Sequence, residues 1–332
     1  MAAGRPVQPE AMKSILQPFR LFLLACVIAL ALFPVIPLSG AAFYVDLLTK
    51  VMIMAVFALS LDLLVGYTGL VSFGHAAFFG IAAYTVALLS PKYEAASLWL
   101  TLPAAVLIAA FAAFLIGIFV LRTRGIYFIM VTLAFAQMIY FLFHDTKLGG
   151  GSDGIYLNFK PEVKIGGYTL FDLGNALHFY YFVLAVLVMV YFFLWLVLRS
   201  PLGRALVGIK ANEHRMRSLG FPVFHYKLAA FTLAGGLAGI AGYLAACQFG
   251  FVNPEIISWH QSGNVLLMVI LGGLGNLYGA VAGAFAFVLM QEFFSSLTKH
   301  WQLIMGAVIV FLVLFLPGGL ASLVRRPWKG KR

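Results

Sequence analysis

The feature that most constrains this chain is a series of ten apolar stretches, each near the length of a membrane span. A hydrocarbon core about 30 Å thick is crossed by roughly 20 apolar residues in an α-helix. The chain is 63% hydrophobic and 10% charged, whereas soluble domains are about 25% charged. We therefore predict an all-α polytopic membrane protein with about 8–10 transmembrane helices, and we exclude a soluble fold and a disordered chain. The stretches cover about residues 19–38, 43–66, 68–89, 98–121, 125–143, 178–198, 226–249, 262–275, 277–297 and 301–317.

The basic residues predict how the chain is oriented in the membrane. The formal net charge is +11. If the N-terminus is cytoplasmic and the stretches alternate in direction, sixteen Lys and Arg residues fall on the inner side and five on the outer side. Positive residues accumulate in cytoplasmic loops, so this division predicts that both termini lie inside. The excess of Lys and Arg is therefore explained by membrane insertion and by contact with anionic lipid, and it does not indicate nucleic-acid binding.

The same pattern divides the chain into three regions. Residues 1–18 are predicted to form a cytoplasmic tail, residues 19–320 the transmembrane domain, and residues 321–332 a basic cytoplasmic tail. The first stretch is too long for the apolar part of a signal peptide, so we interpret it as an uncleaved anchor. Two connections are longer than the rest, an outer loop at 144–177 and an inner segment at 199–226.

The inner segment 199–226 is polar and strongly basic, and its interior has helical spacing. Pro201 precedes that interior, and Gly220 followed by Pro222 ends it. These residues are typical helix start and stop signals. We predict a short amphipathic helix on the inner face of the membrane, with a solvated basic loop as the alternative.

Glycine and histidine residues do not form enzyme motifs here. The glycines at 203 and 208 have the spacing of a phosphate loop, but Ile209 occupies the position of its lysine. The seven histidines are scattered and lack the spacing of metal ligands. We therefore predict no metal site, no catalytic residue and no enzyme, and any nucleotide hydrolysis would belong to another chain. A membrane hydrolase is the least favoured alternative.

Charged residues at membrane depth are costly, so each needs a physical reason. Asp46 and Lys50 are four residues apart on one helical face, and we predict that they neutralise each other. Asp62 and Glu292 have no partner nearby in the sequence. Each of these two either reaches the interface or faces a water-filled cavity.

Two glycine-interrupted segments indicate a passage through the membrane. Gly66-x2-Gly69-x4-Gly74 and Gly272-x2-Gly275-x3-Gly279 both fall where the chain turns at the inner side. Interrupted helices line transport paths, although glycine also permits close helix packing, and both interpretations stay open. The residues predicted to border the passage are Asp62, Gly66, Gly69, Leu70, Ser72, Phe73, Gly74, His75, Phe78, Gly272, Gly273, Gly275 and Asn276.

Five ordered motifs carry a resemblance to a known family. Over about residues 45–320 they resemble the LivM-type permease subunit of branched-chain amino acid ABC importers. The resemblance implies a multi-pass subunit of the bacterial inner membrane that forms the translocation pathway for branched-chain or related amino acids. It also implies a second, LivH-like permease, two cytoplasmic ATPase subunits that hold ATP and Mg, and a periplasmic binding protein, with no cofactor on this chain. The motifs span Gly66–Gly80, Gly149–Gly154, Arg199–Ala205, Asn212–Gly220 and Leu271–Gly279.

The resemblance further implies that the inner segment is the coupling segment, which contacts the ATPase. Such segments typically contain Glu-Ala-Ala followed by a glycine. Glu213 and Gly220 match the glutamate and the glycine of this pattern, whereas residues 214–216 differ from its alanines. At position 62 the family often carries a neutral amide, and this chain has Asp. Two alternatives remain, a permease for urea or short amides and a self-sufficient ion-coupled transporter. The predicted coupling residues are Gly203, Arg204, Asn212, Glu213, His214, Arg215, Leu219 and Gly220.

Overall fold

The computed structural model of the protein describes residues 26–35, 41–91, 93–165, 168–171, 173–316 and 318–324. The predicted tail at 1–18 and most of the predicted tail at 321–332 lie outside these residues. Half of the first apolar stretch lies outside them as well. Of that stretch, residues 26–32 are helical and lead into a 3-10 turn, Phe33–Val35.

Helices form nearly all of the regular structure in the described residues, which confirms the predicted all-α polytopic class. Six are long and apolar enough to cross a membrane, and two further apolar helices of 15 residues are shorter. In chain order the helices are α1 (Ala41–Asp62), α2 (His75–Leu89), α3 (Leu98–Val120), α4 (Ile126–Asp145), α5 (Ala176–Arg199), α6 (Pro201–Ala211), α7 (Glu213–Ser218), α8 (Val223–Phe249), α9 (Trp259–Gly272), α10 (Leu277–Leu297), α11 (Trp301–Phe315) and α12 (Ala321–Val324).

Helix α1 lies at the centre of the bundle. Every residue from 51 to 66 is buried, because α5, α8, α9 and α10 all pack against this helix. A helix that is apolar all round is expected in such a position. Beyond Asp62 it continues as a π-helical turn, Leu63–Thr68, and stops at Gly69, whose φ of 75° is favourable for glycine.

Small residues let α8 approach its neighbours closely. A Cβ on Gly242 would overlap the backbone of Phe79 in α2, and one on Gly239 would lie 2.7 Å from Ala109 Cβ in α3. Small residues at helix contacts are the usual means of close packing in membranes. By contrast, α3 exposes large apolar side chains such as Phe111 and Phe119 on its outer face. That face is suited to contact with lipid or with another subunit.

The predicted outer loop at 144–177 contains local structure. Strand β1 (Ile155–Tyr156) pairs antiparallel with β4 (Phe251–Val252), and β2 (Val163–Ile165) pairs with β3 (Tyr168–Phe171). The β1–β4 pair joins this loop to the connection that follows α8. The loop is therefore attached to the same end of the bundle as the α8–α9 connection.

The inner segment forms two helices where the sequence predicted one. Helix α6 begins after Ser200, whose side chain caps it, and Asn212 caps α7 by accepting a hydrogen bond from Arg215 N at 2.9 Å. The break occurs because the extended backbone of Asn212 interrupts the helix while its side chain starts the next one. Helix α6 is amphipathic as predicted, with Ala205, Leu206 and Ile209 buried beneath its polar face.

Candidate translocation path and coupling segment

The two glycine-interrupted segments meet at the predicted inner end of the bundle. Gly275 N donates a hydrogen bond to Asp62 Oδ1 at 2.8 Å. A Cβ on Gly66 would lie 2.5 Å from Gly275 N, and one on Gly272 would overlap the carbonyl of Gly279. Backbone therefore packs directly on backbone. We call this contact between residues 62–69 and 272–279 the inner junction.

Asp62 is fully buried in the inner junction, and only one of its carboxylate oxygens has a partner. The other oxygen, Oδ2, has no hydrogen-bond partner among the described residues. The junction thus fixes the position of the side chain through a backbone N–H group, a donor that could not be identified from the neighbouring sequence.

Lys210 of α6 connects the inner segment to the inner junction. Its Nζ donates a hydrogen bond to Gly66 O at 2.5 Å, and a Cβ on Gly69 would lie 3.3 Å from its Cγ. Gly66 carries no side chain, so the lysine reaches the carbonyl without obstruction. In the sequence Lys210 is one of several basic residues of the inner segment, and the apolar Ile209 beside it is the one local sign that α6 rests on the bundle.

His75 lies away from the inner junction in a dry, aromatic environment. It is fully buried, its ring stacks on Phe57, and its Nε2 lies 2.8 Å from Ser60 Oγ. The Ser60 hydroxyl donates its one hydrogen to Phe57 O at 2.6 Å, so His75 Nε2 is the donor to Ser60. His75 Nδ1 is then an acceptor, and it has no partner among the described residues.

The other predicted path residues are held by contacts within the chain. Phe73 N donates to Thr132 Oγ1, Gly74 N donates to Ser72 Oγ, and Leu70 N donates to Leu64 O. Phe78 is buried against Phe231. Gly273 adopts a φ of 107°, and Asn276 precedes α10. Phe78 thus lies within α2, and the other residues lie in the turns beside the inner junction.

A cavity of about 310 Å³ lies in the predicted outer half of the same bundle. None of the predicted path residues lines it. We call it the outer cavity. Its wall is formed by α1, α2, α8, α9, α10 and the 3-10 turn Pro254–Ile257, through Lys50, Met54, Phe79, Ala245, Ala246, Phe249, Phe251, Glu255, Ile256, Gln261, Asn264, Met268, Phe287, Val288 and Gln291.

The expected pairing of Asp46 with Lys50 was wrong. Neither residue has an ion pair within the described part of the chain. Asp46 is exposed, whereas Lys50 is half-buried and lines the outer cavity. Residues four apart are neighbours on a helix, but the long side chain of Lys50 can adopt several directions, and here it lines the cavity. Sequence reasoning therefore missed Lys50 as a residue of the site.

Glu213 ties the inner segment to the rest of the bundle. Its carboxylate accepts from Arg217 at 2.5 Å and from Lys227 at 2.8 Å, and Arg124 lies 3.5 Å away. Burial alone would raise the pKa of Glu213, but the hydrogen bond from Lys227 and the charges of all three cations lower the pKa below its ordinary value. We call these four residues the Glu213 cluster.

The remaining predicted coupling residues lie on or beside the inner helices. Gly203 is buried at the start of α6, and Arg204, His214 and Arg215 are exposed. Gly220 has a φ of 84° in open space, so the backbone and not crowding favours glycine there. Val207, Leu219 and Phe221 expose large apolar side chains, which suits this surface to contact with another protein.

Together these features define a multi-pass membrane protein whose two glycine turns join at one end of the bundle. Residues 43–314 match the family described as "Branched-chain amino acid transport system / permease component". The chain is 34% identical to the high-affinity branched-chain amino acid transport system permease protein LivM of Salmonella typhimurium, over 94% of this chain and 77% of the relative. LivM of Escherichia coli K12 gives the same identity and coverage.

A more distant relative is the autoinducer 2 import system permease protein LsrC of Klebsiella pneumoniae, at 32% identity over 40% of each chain. No solved structure matches the chain. The family match covers most of the sequence, and the LivM relatives are similar over nearly all of it. The chain therefore belongs to the family of branched-chain amino acid transport permease components.

Proposed function

We propose that this chain is the permease subunit of an ATP-binding cassette importer that carries branched-chain or related amino acids across the bacterial inner membrane. Its partners are a second, LivH-like permease, two cytoplasmic ATPase subunits and a periplasmic binding protein. Both termini lie in the cytoplasm in this proposal. The observation that carries it is the contact of the inner segment with the inner junction through Lys210, because a docked ATPase would then act directly on the passage.

In this proposal α6 and α7 form the surface to which an ATPase subunit docks. The exposed side chains of Val207, Leu219 and Phe221 supply apolar contact area, and the Glu213 cluster holds the segment on the bundle. A displacement of α6 is transmitted to Gly66 through Lys210. The passage runs between the segments Gly66–Gly80 and Gly272–Gly279, and it opens when the inner junction separates.

The docking assignment is tested in the complete importer, reconstituted with ATP and loaded binding protein. Glu213→Ala removes the acceptor of three cations, and Gly220→Ala places a Cβ on a backbone with φ of 84°. Both variants should insert normally and lose most of their uptake per ATP hydrolysed. Co-purification of the ATPase subunits should weaken as well, whereas the unaltered chain alone should hydrolyse no ATP.

Two matched controls separate docking from a general effect of substitution. Glu94→Ala removes an exposed carboxylate on the predicted outer side, and Gly263→Ala adds a Cβ where no heavy atom lies within 4 Å. Both should transport normally. Normal coupling in Glu213→Ala and Gly220→Ala would contradict the docking role.

The outer loop at 144–177 is proposed to meet the binding protein. It is held near the bundle by the β1–β4 pair, and Lys160 lies 5.0 Å from the centre of the Phe179 ring. A Lys160→Cys variant in a Cys26→Ser background should react with an impermeant thiol reagent added outside. Reaction from the cytoplasmic side alone would reverse the proposed orientation of this region.

A further inference from the structure

The outer cavity has the size of a small-molecule site. Its volume of about 310 Å³ is at the lower end of the range of roughly 300–1,000 Å³ for ligand pockets. Lys50 follows the first residue of α1 by nine positions, which places it roughly 14 Å along the helix. The cavity is therefore an open cleft whose wall includes a residue well inside α1.

The two charged residues of the outer cavity have opposite signs and lack a charged partner. Lys50 is half-buried and has no hydrogen bond or ion pair among the described residues. Glu255 is exposed at the rim, where Tyr140 donates a hydrogen bond to it at 3.4 Å. The cavity thus offers an ammonium group at depth and a carboxylate near its opening.

The rest of the lining separates into amide and apolar parts. Asn264 and Gln291 make no hydrogen bond to another described residue, so their carboxamides face the cavity with donors and acceptors available. Gln261 Nε2 lies 3.7 Å from Met54 Sδ, on the predicted inner side of Lys50. Met54, Phe79, Met268, Phe287 and Val288 form the apolar part of the wall.

We propose that the outer cavity of this single chain binds an α-amino acid as a zwitterion on its way through the membrane. Lys50 receives the carboxylate, Glu255 receives the ammonium group, and the carboxamides of Asn264 and Gln291 complete their hydrogen bonds. The aliphatic side chain lies against the apolar wall. This inference rests on the proposed import function and adds a site in the outer half, distinct from the inner junction.

The chemistry of the lining distinguishes this ligand from others of similar size. A lipid chain or a purely apolar ligand would leave Lys50 without an anion, and urea or a short amide would leave both charges without a partner. The half-buried ammonium group of Lys50 discriminates against ligands that lack an anion, because its charge is then left unpaired. A zwitterion supplies an anion for Lys50 and a cation for Glu255, both of which line the cavity.

The first experiment measures uptake of radiolabelled leucine by the complete importer at saturating loaded binding protein. Lys50→Met and Glu255→Gln should each lower the maximal uptake rate at least tenfold, with the concentration for half-maximal uptake unchanged within about twofold. Asp46→Asn, one turn from Lys50 on the exposed side of α1, is the matched control and should keep the normal rate. Assembly with the partner subunits is measured for every variant.

A second experiment detects occupancy without uptake and retains both charged residues. In a Cys26→Ser background, Asn264→Cys places a thiol in the cavity of the purified complex. Leucine at millimolar concentration should slow its reaction with an impermeant thiol reagent at least threefold. Isopentylamine lacks the carboxylate and isovalerate lacks the ammonium group, so neither should protect.

The outcomes separate failure of the site from failure of the function. If the unaltered importer takes up leucine while Lys50→Met and Glu255→Gln match Asp46→Asn, the site is wrong and the function stands. If the unaltered importer takes up no amino acid, the proposed function is wrong. If Lys50→Met fails to assemble, the protection experiment decides, and equal protection by isopentylamine or isovalerate overturns the zwitterion site.

Discussion

The outer cavity and the inner junction are built from the same helices, yet they differ in almost every physical respect. Both involve α1, α9 and α10. In the outer half these helices diverge around about 310 Å³ of space, and polar side chains face it. At the inner junction, glycine backbones touch and a single added Cβ has no room. The arrangement of this chain is open at one end and closed at the other.

The distance between the two regions shows what a transport step requires. Lys50 and Asp62 are twelve residues apart on α1, which corresponds to roughly 18 Å along the helix axis. Residues 51–61 between them are all buried. A closely packed section of α1 therefore separates the outer cavity from the inner junction. In the proposed function, passage requires the helices to separate there.

The largest expected effect comes from adding one methyl group at the closed end. Gly66→Ala would place its Cβ 2.5 Å from Gly275 N and against the Asp62 carboxylate, so the two segments must move apart. We expect uptake to fall to the background level and the unfolding temperature of the complex to decrease, since overpacking costs about 1–3 kcal/mol. Gly306→Ala is the control, because nothing lies within 4 Å of a Cβ there. Normal uptake in Gly66→Ala would show that the junction is not tightly closed.

A smaller effect is expected from cutting the connection between the inner segment and the junction. Lys210→Met keeps the length of the side chain and removes the hydrogen bond to Gly66 O. Lys210 is an exposed residue, so solvent screens this bond and its contribution is about 1 kcal/mol, which corresponds to a change of about fivefold in the populations of the two states of the junction. We expect ATP hydrolysis to continue while uptake per ATP falls. Lys299→Met, on an exposed position at the predicted outer end, should leave the ratio unchanged.

The contrast between the two regions also explains what could be predicted from the sequence. The glycine spacings at 66–74 and 272–279 indicated that two turns lie at one end, because glycine marks turns and close approach whatever its neighbours are. They did not show that the two turns touch, since that contact depends on how α1, α9 and α10 pack. The apolar pattern likewise predicted the long helices but not the start of α2 at His75.

Side chains were harder to place than helices. The four-residue spacing of Asp46 and Lys50 predicted an ion pair, but Lys50 lines the outer cavity and does not pair with Asp46. Glu255, Asn264 and Gln291 come from three separate elements, and only the folded bundle brings them to one space. Glu213 was chosen from its motif, yet its three cations lie at residues 124, 217 and 227. Long-range contacts of this kind have no local signature.

The third prediction concerns pH and the Glu213 cluster, where the effect is modest. The pKa of Glu213 in the folded chain lies below its ordinary value, which is about 4.3 for glutamate. The stability that the cluster contributes is therefore fully present above the unfolded pKa, and it is lost as the pH falls through the lower, folded pKa. Partly exposed ion pairs contribute up to about 1 kcal/mol each.

Comparison of the unaltered complex with Glu213→Gln measures this contribution. The unfolding temperature of the unaltered complex should exceed that of the variant by a nearly constant amount between pH 8 and pH 5. The difference should shrink as the pH falls below the ordinary glutamate pKa of about 4.3, and it should vanish below the lower, folded pKa, because both side chains are then neutral. A difference that grows as the pH falls would show that the carboxylate is not stabilised by its three cations.

The smallest expected effect decides between the importer subunit and a self-sufficient ion-coupled transporter. In the importer, Asp62 serves the inner junction as an acceptor for Gly275 N at 2.8 Å. An Asn side chain keeps a carbonyl oxygen in that place, so Asp62→Asn should retain uptake within about twofold, while Asp62→Leu should lose it by leaving the buried N–H unpaired. An ion-coupled transporter needs the titratable carboxylate itself, and both variants would then be inactive. Uptake by Asp62→Asn driven by ATP, with no dependence on an ion gradient, would assign the carboxylate to closing the inner end of the bundle.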